Sequence, residues 1–169
     1  CLLSRGLGDV YKRQQLSHGP YYTFLTLHLE SLGYSRGTIG MLWALGVLAE
    51  VLLFVVMSRI LARVSLRRVL LASFLLGALR WVLLGSFAEH LAVLLFAQLL
   101  HAATFGAFHA SCIAFVQRSF GARQQGQGQA FYAALSGTGG ALGALYAGYS
   151  WKALGPGITF SIASVAALV

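Results

Sequence analysis

Residues 37–62 read GTIGMLWALGVLAEVLLFVVMSRILA, and between Gly37 and Ser58 the single ionisable residue is Glu50. A helix needs ~20 mainly apolar residues to cross the hydrocarbon layer, and this run is longer than that. It lacks the period-two alternation of an outer-membrane barrel strand. The stretch therefore reads as a membrane-spanning helix with a carboxylate at its middle. Such a group is costly unless it is paired, protonated or facing water, so Glu50 is the first candidate for function.

The rest of the chain has the same character. Hydrophobic residues make up 58% of the 169 positions and charged residues 9%, and mean hydropathy is +0.76. A soluble domain carries roughly a quarter of its residues as charges. The composition implies an integral, multi-pass membrane protein in contact with the lipid bilayer. The net charge of +8 does not signal a nucleic-acid partner, because the basic residues sit in short gaps between apolar segments and carry topology information instead. Cys1 and Cys112 are far apart in sequence and suggest neither a disulfide framework nor a redox pair.

Six apolar segments are expected, over about 16–33, 37–62, 68–87, 90–116 and 127–149, with a sixth starting near Pro156 and too short by Val169 to span. The expected fold is an all-α membrane protein. Residues 1–14, CLLSRGLGDVYKRQ, are polar and show no helical period or signal-peptide pattern. They are read as a non-native or linker segment, or as a cytoplasmic linker, ahead of a six-helix domain over 15–169. The gaps after segments two and four carry Arg59, Arg63, Arg67, Arg68, Arg118 and Arg123, and the opposite gaps carry Arg36 and Lys152. Six basic residues against two place the arginine-rich gaps in the cytoplasm. In segment five, Gly139 and Gly143 form a GxxxG spacing that admits close helix packing, within one bundle or between copies.

Helical rise sets the depths. Glu50 lies about 20 Å from the outer end of segment two, Arg80 about 18 Å from the cytoplasmic end of segment three, and His101 about 16 Å from the outer end of segment four. All three fall near the middle of a layer ~30 Å thick. Gln98 shares the face of His101, and Trp43 and Gly46 share that of Glu50. Glu50 and Arg80 are expected either to pair and tie two helices together or to belong to a translocation site; intramembrane ionisable groups commonly mark such sites. His101 has the same two readings, as an interhelical hydrogen-bonder or a proton or substrate group. His109, eight residues on, falls about 80° round a regular helix and need not face the same cavity. No metal site is expected, because no acidic or thiol partner accompanies the histidines. Gly19-Pro20 marks a kink. Tyr21 and Tyr22 beside it are read either as ligand contacts or as an interfacial belt at the cytoplasmic end.

YYTFLTLHLESLGYSRGTIGMLWALGVLAEVLLF (21–54), LRWVLLG (79–85) and QLLHAATFGAFHA (98–110) together resemble the C-terminal half of major facilitator superfamily transporters. The nearest resemblance is to the phenylpropionate permease-like group, kin to the oligosaccharide:proton symporters such as lactose permease. It implies helices seven to twelve of a twelve-helix transporter, with the last helix truncated and the N-terminal six-helix half absent. It implies a bacterial inner membrane location and proton-coupled uptake of a small organic solute, such as an aromatic acid, by alternating access. In lactose permease-like symporters helix eight carries a glutamate, helix nine an arginine and helix ten a histidine. The resemblance thus assigns substrate or proton binding to Glu50, Arg80 and His101, with Gln98, Trp43 and Tyr22 beside them. It implies no cofactor beyond the proton as coupling ion. The proton-carrying glutamate of the family, three residues after its histidine, is Thr104 here, so Glu50 is the better carrier. The basic stretch SRILARVSLRR (58–68) also departs from the family's aspartate-and-glycine loop. A sugar or nucleoside symporter is the alternative substrate class. A non-transporting structural or receptor-like bundle is the alternative of another kind. An intramembrane serine hydrolase at Ser136-Gly137 has no positioned base, so no catalytic residues are expected.

Overall fold

The computed structural model describes residues 2–168. Every regular element among them is helical: α1 (Leu2–Ser17), α2 (Gly19–Ser31), α3 (Arg36–Arg63), α4 (Leu66–Ser86), α5 (Leu91–His101), α6 (Ala107–Ser119) and α7 (Gln125–Leu168). A π-helical turn, Ala102–Gly106, joins α5 to α6, and a short 3₁₀ turn, Ala122–Gln124, precedes α7. Helices α3, α4 and the continuous rod Leu91–Ser119 are long and apolar enough to cross a membrane. In lipid only structures that satisfy every backbone polar group internally can span, which is why this sequence resolves into helices.

Local chemistry sets the boundaries. Gly33, at φ 86°, ends α2 in a left-handed residue, with Tyr34 N–H on Leu29 O at 3.1 Å and Gly33 N–H on Glu30 O at 3.0 Å; this is the Schellman arrangement that favours glycine. Ser35 starts α3 by accepting from Thr38 N–H at 3.1 Å. Gly155, at φ 81° and ψ 177°, breaks α7 into two arms just before Pro156. These arms are the fifth and sixth segments. Thr159 Oγ1 donates to the Gly155 carbonyl at 2.8 Å, satisfying a group that the turn leaves exposed.

The amino end differs from the expectation. No helical period is legible in residues 1–14, yet α1 runs from Leu2 to Ser17 without a break. Its order comes from tertiary packing: Tyr11 is buried edge-on against Tyr132, with ring centroids 4.9 Å apart. Toward its carboxyl end α1 packs on the glycine face of the first arm of α7. A Cβ at Gly143 would meet Leu16 O at 2.7 Å and Gly19 Cα at 3.1 Å, so the GxxxG stripe is used inside the chain. Because α1 supplies a helical lead-in, the Gly19-Pro20 joint falls mid-bundle. Tyr21 and Tyr22 then stand beside the polar residues of the core, not at an interfacial belt.

The main core is built by Tyr21, Leu25 and Leu29 of α2, Leu42 of α3, Trp81 and Leu84 of α4, Leu94 of α5 and Phe160 of the second arm of α7. Between helices in lipid the contribution comes from close packing and hydrogen bonds. Ser164 Oγ, for example, donates to Ala78 O at 3.0 Å. Val47, Leu48, Val51, Leu52 and Val55 leave one side of α3 exposed and apolar.

Candidate functional site

The site centres on Arg80, whose side chain has no exposed surface. Its Nε donates to Ala97 O at 2.8 Å. Nη1 reaches His101 Nδ1 at 3.1 Å and Thr104 Oγ1 at 3.4 Å. Nη2 donates to Gln98 Oε1 at 3.1 Å, and the same oxygen accepts from Tyr21 Oη at 3.0 Å. The guanidinium lies 4.1 Å from the ring centre of Tyr21 and 4.9 Å from that of Trp81. An arginine at the bilayer centre costs about 3 kcal/mol on insertion scales. A hydrogen bond from a charged donor contributes about 1.5–3 kcal/mol, and a desolvated cation–π contact about 2 kcal/mol. The polar contacts therefore offset the burial without a carboxylate in contact.

Glu50 is not paired with Arg80, contrary to the expected ion pair. Its carboxylate meets His101 instead, Oε2 to Nε2 at 3.5 Å, with 16% of the glutamate and 5% of the histidine side chain exposed. The imidazole stands between acid and base. The reason is steric: Glu50 lies over Gly106, where an added Cβ would fall 3.0 Å from Glu50 Cγ, and His101 fills the space between α3 and α4. The arrangement also assigns the tautomer. Arg80 has only donors to offer, so His101 Nδ1 accepts and Nε2 carries the hydrogen that faces Glu50. The three residues form one polarised line, guanidinium to imidazole to carboxylate.

Aromatic rings cover this line. Trp43 lies 4.7 Å from Tyr21, and its plane is within 24° of that of Tyr22 at 6.3 Å. Trp43 Nε1 donates to Thr26 Oγ1 at 3.2 Å. Tyr22 is half exposed and meets Phe105 edge-on at 6.0 Å. The structure thus brings all six expected residues, Glu50, Arg80, His101, Gln98, Trp43 and Tyr22, into one neighbourhood.

Other contributors were harder to foresee. Tyr21 supplies both a hydrogen bond and a ring to the core of the site, although in sequence it was only half of a tyrosine pair. Phe105 and His109 extend the site because of the π-turn. The Ala107 N–H bonds to Ala102 O, five residues back, so the turn holds one residue more than an α-helical turn. That extra residue changes the offset between His101 and His109 from about 80° to about 20°. His101 and Phe105 stack at 5.3 Å with planes 8° apart, and Phe105 and His109 at 6.2 Å with planes 4° apart. The regular-helix offset, by which His109 need not face the same cavity, does not apply for this reason. The turn's carbonyls are taken from outside the helix: Ser73 Oγ donates to Ala103 O at 2.8 Å, and Gln14 Nε2 to Thr104 O. No group of three or more potential metal ligands occurs among the described residues.

The model of the MFS_1 like family matches residues 13–162. The chain belongs to this family of major facilitator superfamily transporters. The chain is also similar to the "Probable 3-phenylpropionic acid transporter" of Escherichia coli (strain K12), with 34% identity over 157 residues, covering 90% of this chain and 40% of the relative. It thus spans about two fifths of the length of that curated relative. No solved structure matches the chain at a significant level. Family membership accounts for the all-helical, multi-pass architecture.

Proposed function

We propose that the full-length protein is a proton-coupled importer of an aromatic carboxylic acid of the phenylpropionate type, acting by alternating access in a bacterial inner membrane together with a second six-helix half. The observation that carries this reading is the buried line Arg80–His101–Glu50 beneath the rings of Tyr22 and Trp43. Arg80 stays charged at any working pH, and His101 is neutral in the tautomer that its bonds require. The charge of the cluster is then set by Glu50 alone. With Glu50 ionised the cluster sums to zero. With Glu50 protonated it carries one net positive charge in a region of low dielectric, where that charge draws in an anion strongly. The solute carboxylate is thereby favoured only after the proton has bound, which is what obligatory symport needs.

Most of Arg80's donors are engaged in the bundle, so its role is the field at the site together with the orientation of His101. The aromatic ring of the solute stacks on Tyr22 and Trp43, whose faces give an apolar, flat surface. Gln98 Oε1 is already occupied by two donors, whereas its buried Nε2 has no hydrogen-bond partner; the position offers a donor, which suits a carboxylate oxygen, and no free acceptor for a sugar hydroxyl.

The test is uptake of radiolabelled 3-phenylpropionate by the full-length protein in proteoliposomes with an imposed proton gradient. Glu50→Gln, which mimics the permanently protonated acid, is expected to lose gradient-driven accumulation by about 100-fold while losing far less solute exchange at equal pH. Arg80→Ala is expected to lose both. Gradient-driven uptake unchanged in both variants refutes the reading.

A further inference from the structure

Below the Glu50–His101–Arg80 line, toward the end that the loop charges assign to the cytoplasm, a second polar pair stands in register with it. His109 Nδ1 and Tyr132 Oη are 2.6 Å apart. The pair is reached from His101 through the parallel ring of Phe105. His109 is half-buried and Tyr132 buried. The groups facing His109 are Phe105 on its own rod and Tyr132 on α7. Tyr11 of α1 packs against Tyr132, and Cys112 of α6 lies in the same buried cluster. His109 takes part in no ion pair among the described residues. One helical turn beyond Tyr132, Ser136 Oγ is buried with no hydrogen-bond partner.

We propose that His109 and Tyr132 form a second proton-exchange station, which takes the proton from the Glu50 site on its way to the cytoplasm. This rests on the proton-coupled reading of Glu50. The unpartnered hydroxyl oxygen of Ser136 gives the tyrosine hydrogen an acceptor when it leaves Nδ1. While His109 is neutral, Tyr132 Oη–H donates to the bare Nδ1. When a hydrated proton delivered from the Glu50 carboxyl adds to Nδ1, both ring nitrogens become donors. Nδ1–H then donates to Tyr132 Oη, and the tyrosine hydrogen turns to Ser136 Oγ. Loss of the proton to cytoplasmic water reverses the turn. No other bond forms or breaks. Phe105 lies between the two stations, so its ring separates them until water enters past it. The π-turn aligns the stations, and Ser73 and Gln14 hold the turn open through the carbonyls of Ala103 and Thr104.

Two measurements test the proposal on the full-length protein. In proteoliposomes, His109→Gln is expected to reduce gradient-driven uptake of 3-phenylpropionate about tenfold, with a much smaller loss of exchange at equal pH. An equal loss in both assays would mean a structural role and overturn the proposal. The second measurement needs no transport. In nanodiscs, the nitrogen resonances of ¹⁵N-labelled histidine, assigned to His109 by their loss in His109→Gln, are followed from about pH 5 to about pH 9. His109 is expected to pass from two protonated nitrogens to one as the pH rises through this range, and Tyr132→Phe and Ser136→Ala are expected to move the midpoint. A single tautomer throughout, or a midpoint indifferent to both variants, overturns the proposal. If instead Glu50→Gln leaves coupling intact, the reading of the first site fails while the His109 titration remains readable by itself.

Discussion

Helix α3 and the rod Leu91–Ser119 are nearly equal in length, at 28 and 29 residues, and both can cross a membrane. One is regular throughout; the other carries a π-turn at its centre. In α3 the faces follow the 100° step of the helix, so Trp43, Gly46 and Glu50 stand where their spacing puts them. In the rod, one extra residue shifts everything after Gly106. The first helix can be read from its sequence as a wheel. The second cannot, because its turn is stabilised by donors on other helices, Ser73 on α4 and Gln14 on α1. Positional logic within a helix holds until a neighbour supplies a hydrogen bond that makes an irregular turn affordable.

The strongest way to break this comparison is a pair of single-residue deletions. Removing Ala44 from α3 rotates Glu50 about 100° relative to Trp43 and is expected to abolish proton-driven uptake. Removing Ala103 from the π-turn converts it to a regular turn while keeping His101 and His109 aligned; uptake is expected to survive within about tenfold. Equal loss from both deletions would show that the π-turn itself, and not the alignment, is required.

Close packing comes next in size. Gly143→Leu drives a side chain into the backbone of Leu16 and Gly19 and is expected to destabilise the bundle by about 3 kcal/mol, read as a lower midpoint of thermal unfolding in detergent. Trp43→Ala removes one wall of the aromatic surface, and an increase in KM for 3-phenylpropionate of about tenfold is expected, with a smaller change in maximal rate. Ser73→Ala frees the Ala103 carbonyl; a cost of about 1 kcal/mol and a faster hydrogen exchange around Ala102–Gly106 are expected. The smallest effect belongs to the regular helix: Ser35→Ala removes its cap at a cost of about 1 kcal/mol or less, with uptake unchanged.

Much of the site was legible because intramembrane polar residues are few. Glu50, Arg80 and His101 stand out in apolar runs, and rise per residue was enough to bring them to one depth. Depth does not specify partners, however. That Glu50 meets His101 and not Arg80 depends on how α3, α4 and α5 approach, and on Gly106 leaving room for the glutamate. The order in α1 was illegible for a similar reason: Tyr11 and Gln14 are ordered by residues about a hundred positions away, Phe108 and Thr104, and no local period records such contacts.

The amino-acid sequence by itself determined the class of the molecule, its apolar spanning segments and the identity of its charged residues at mid-membrane, since hydrocarbon leaves a chain only a few ways to satisfy its backbone and every charge within it is conspicuous. Only the tertiary structure decided which of those charges touch. The packing of α4 and α1 against the rod set its irregular turn, the turn brought His109 beneath His101, and the imidazole between Glu50 and Arg80 made a single line of them, because hydrogen-bond partners supplied across helices carry no signature in the spacing of either helix.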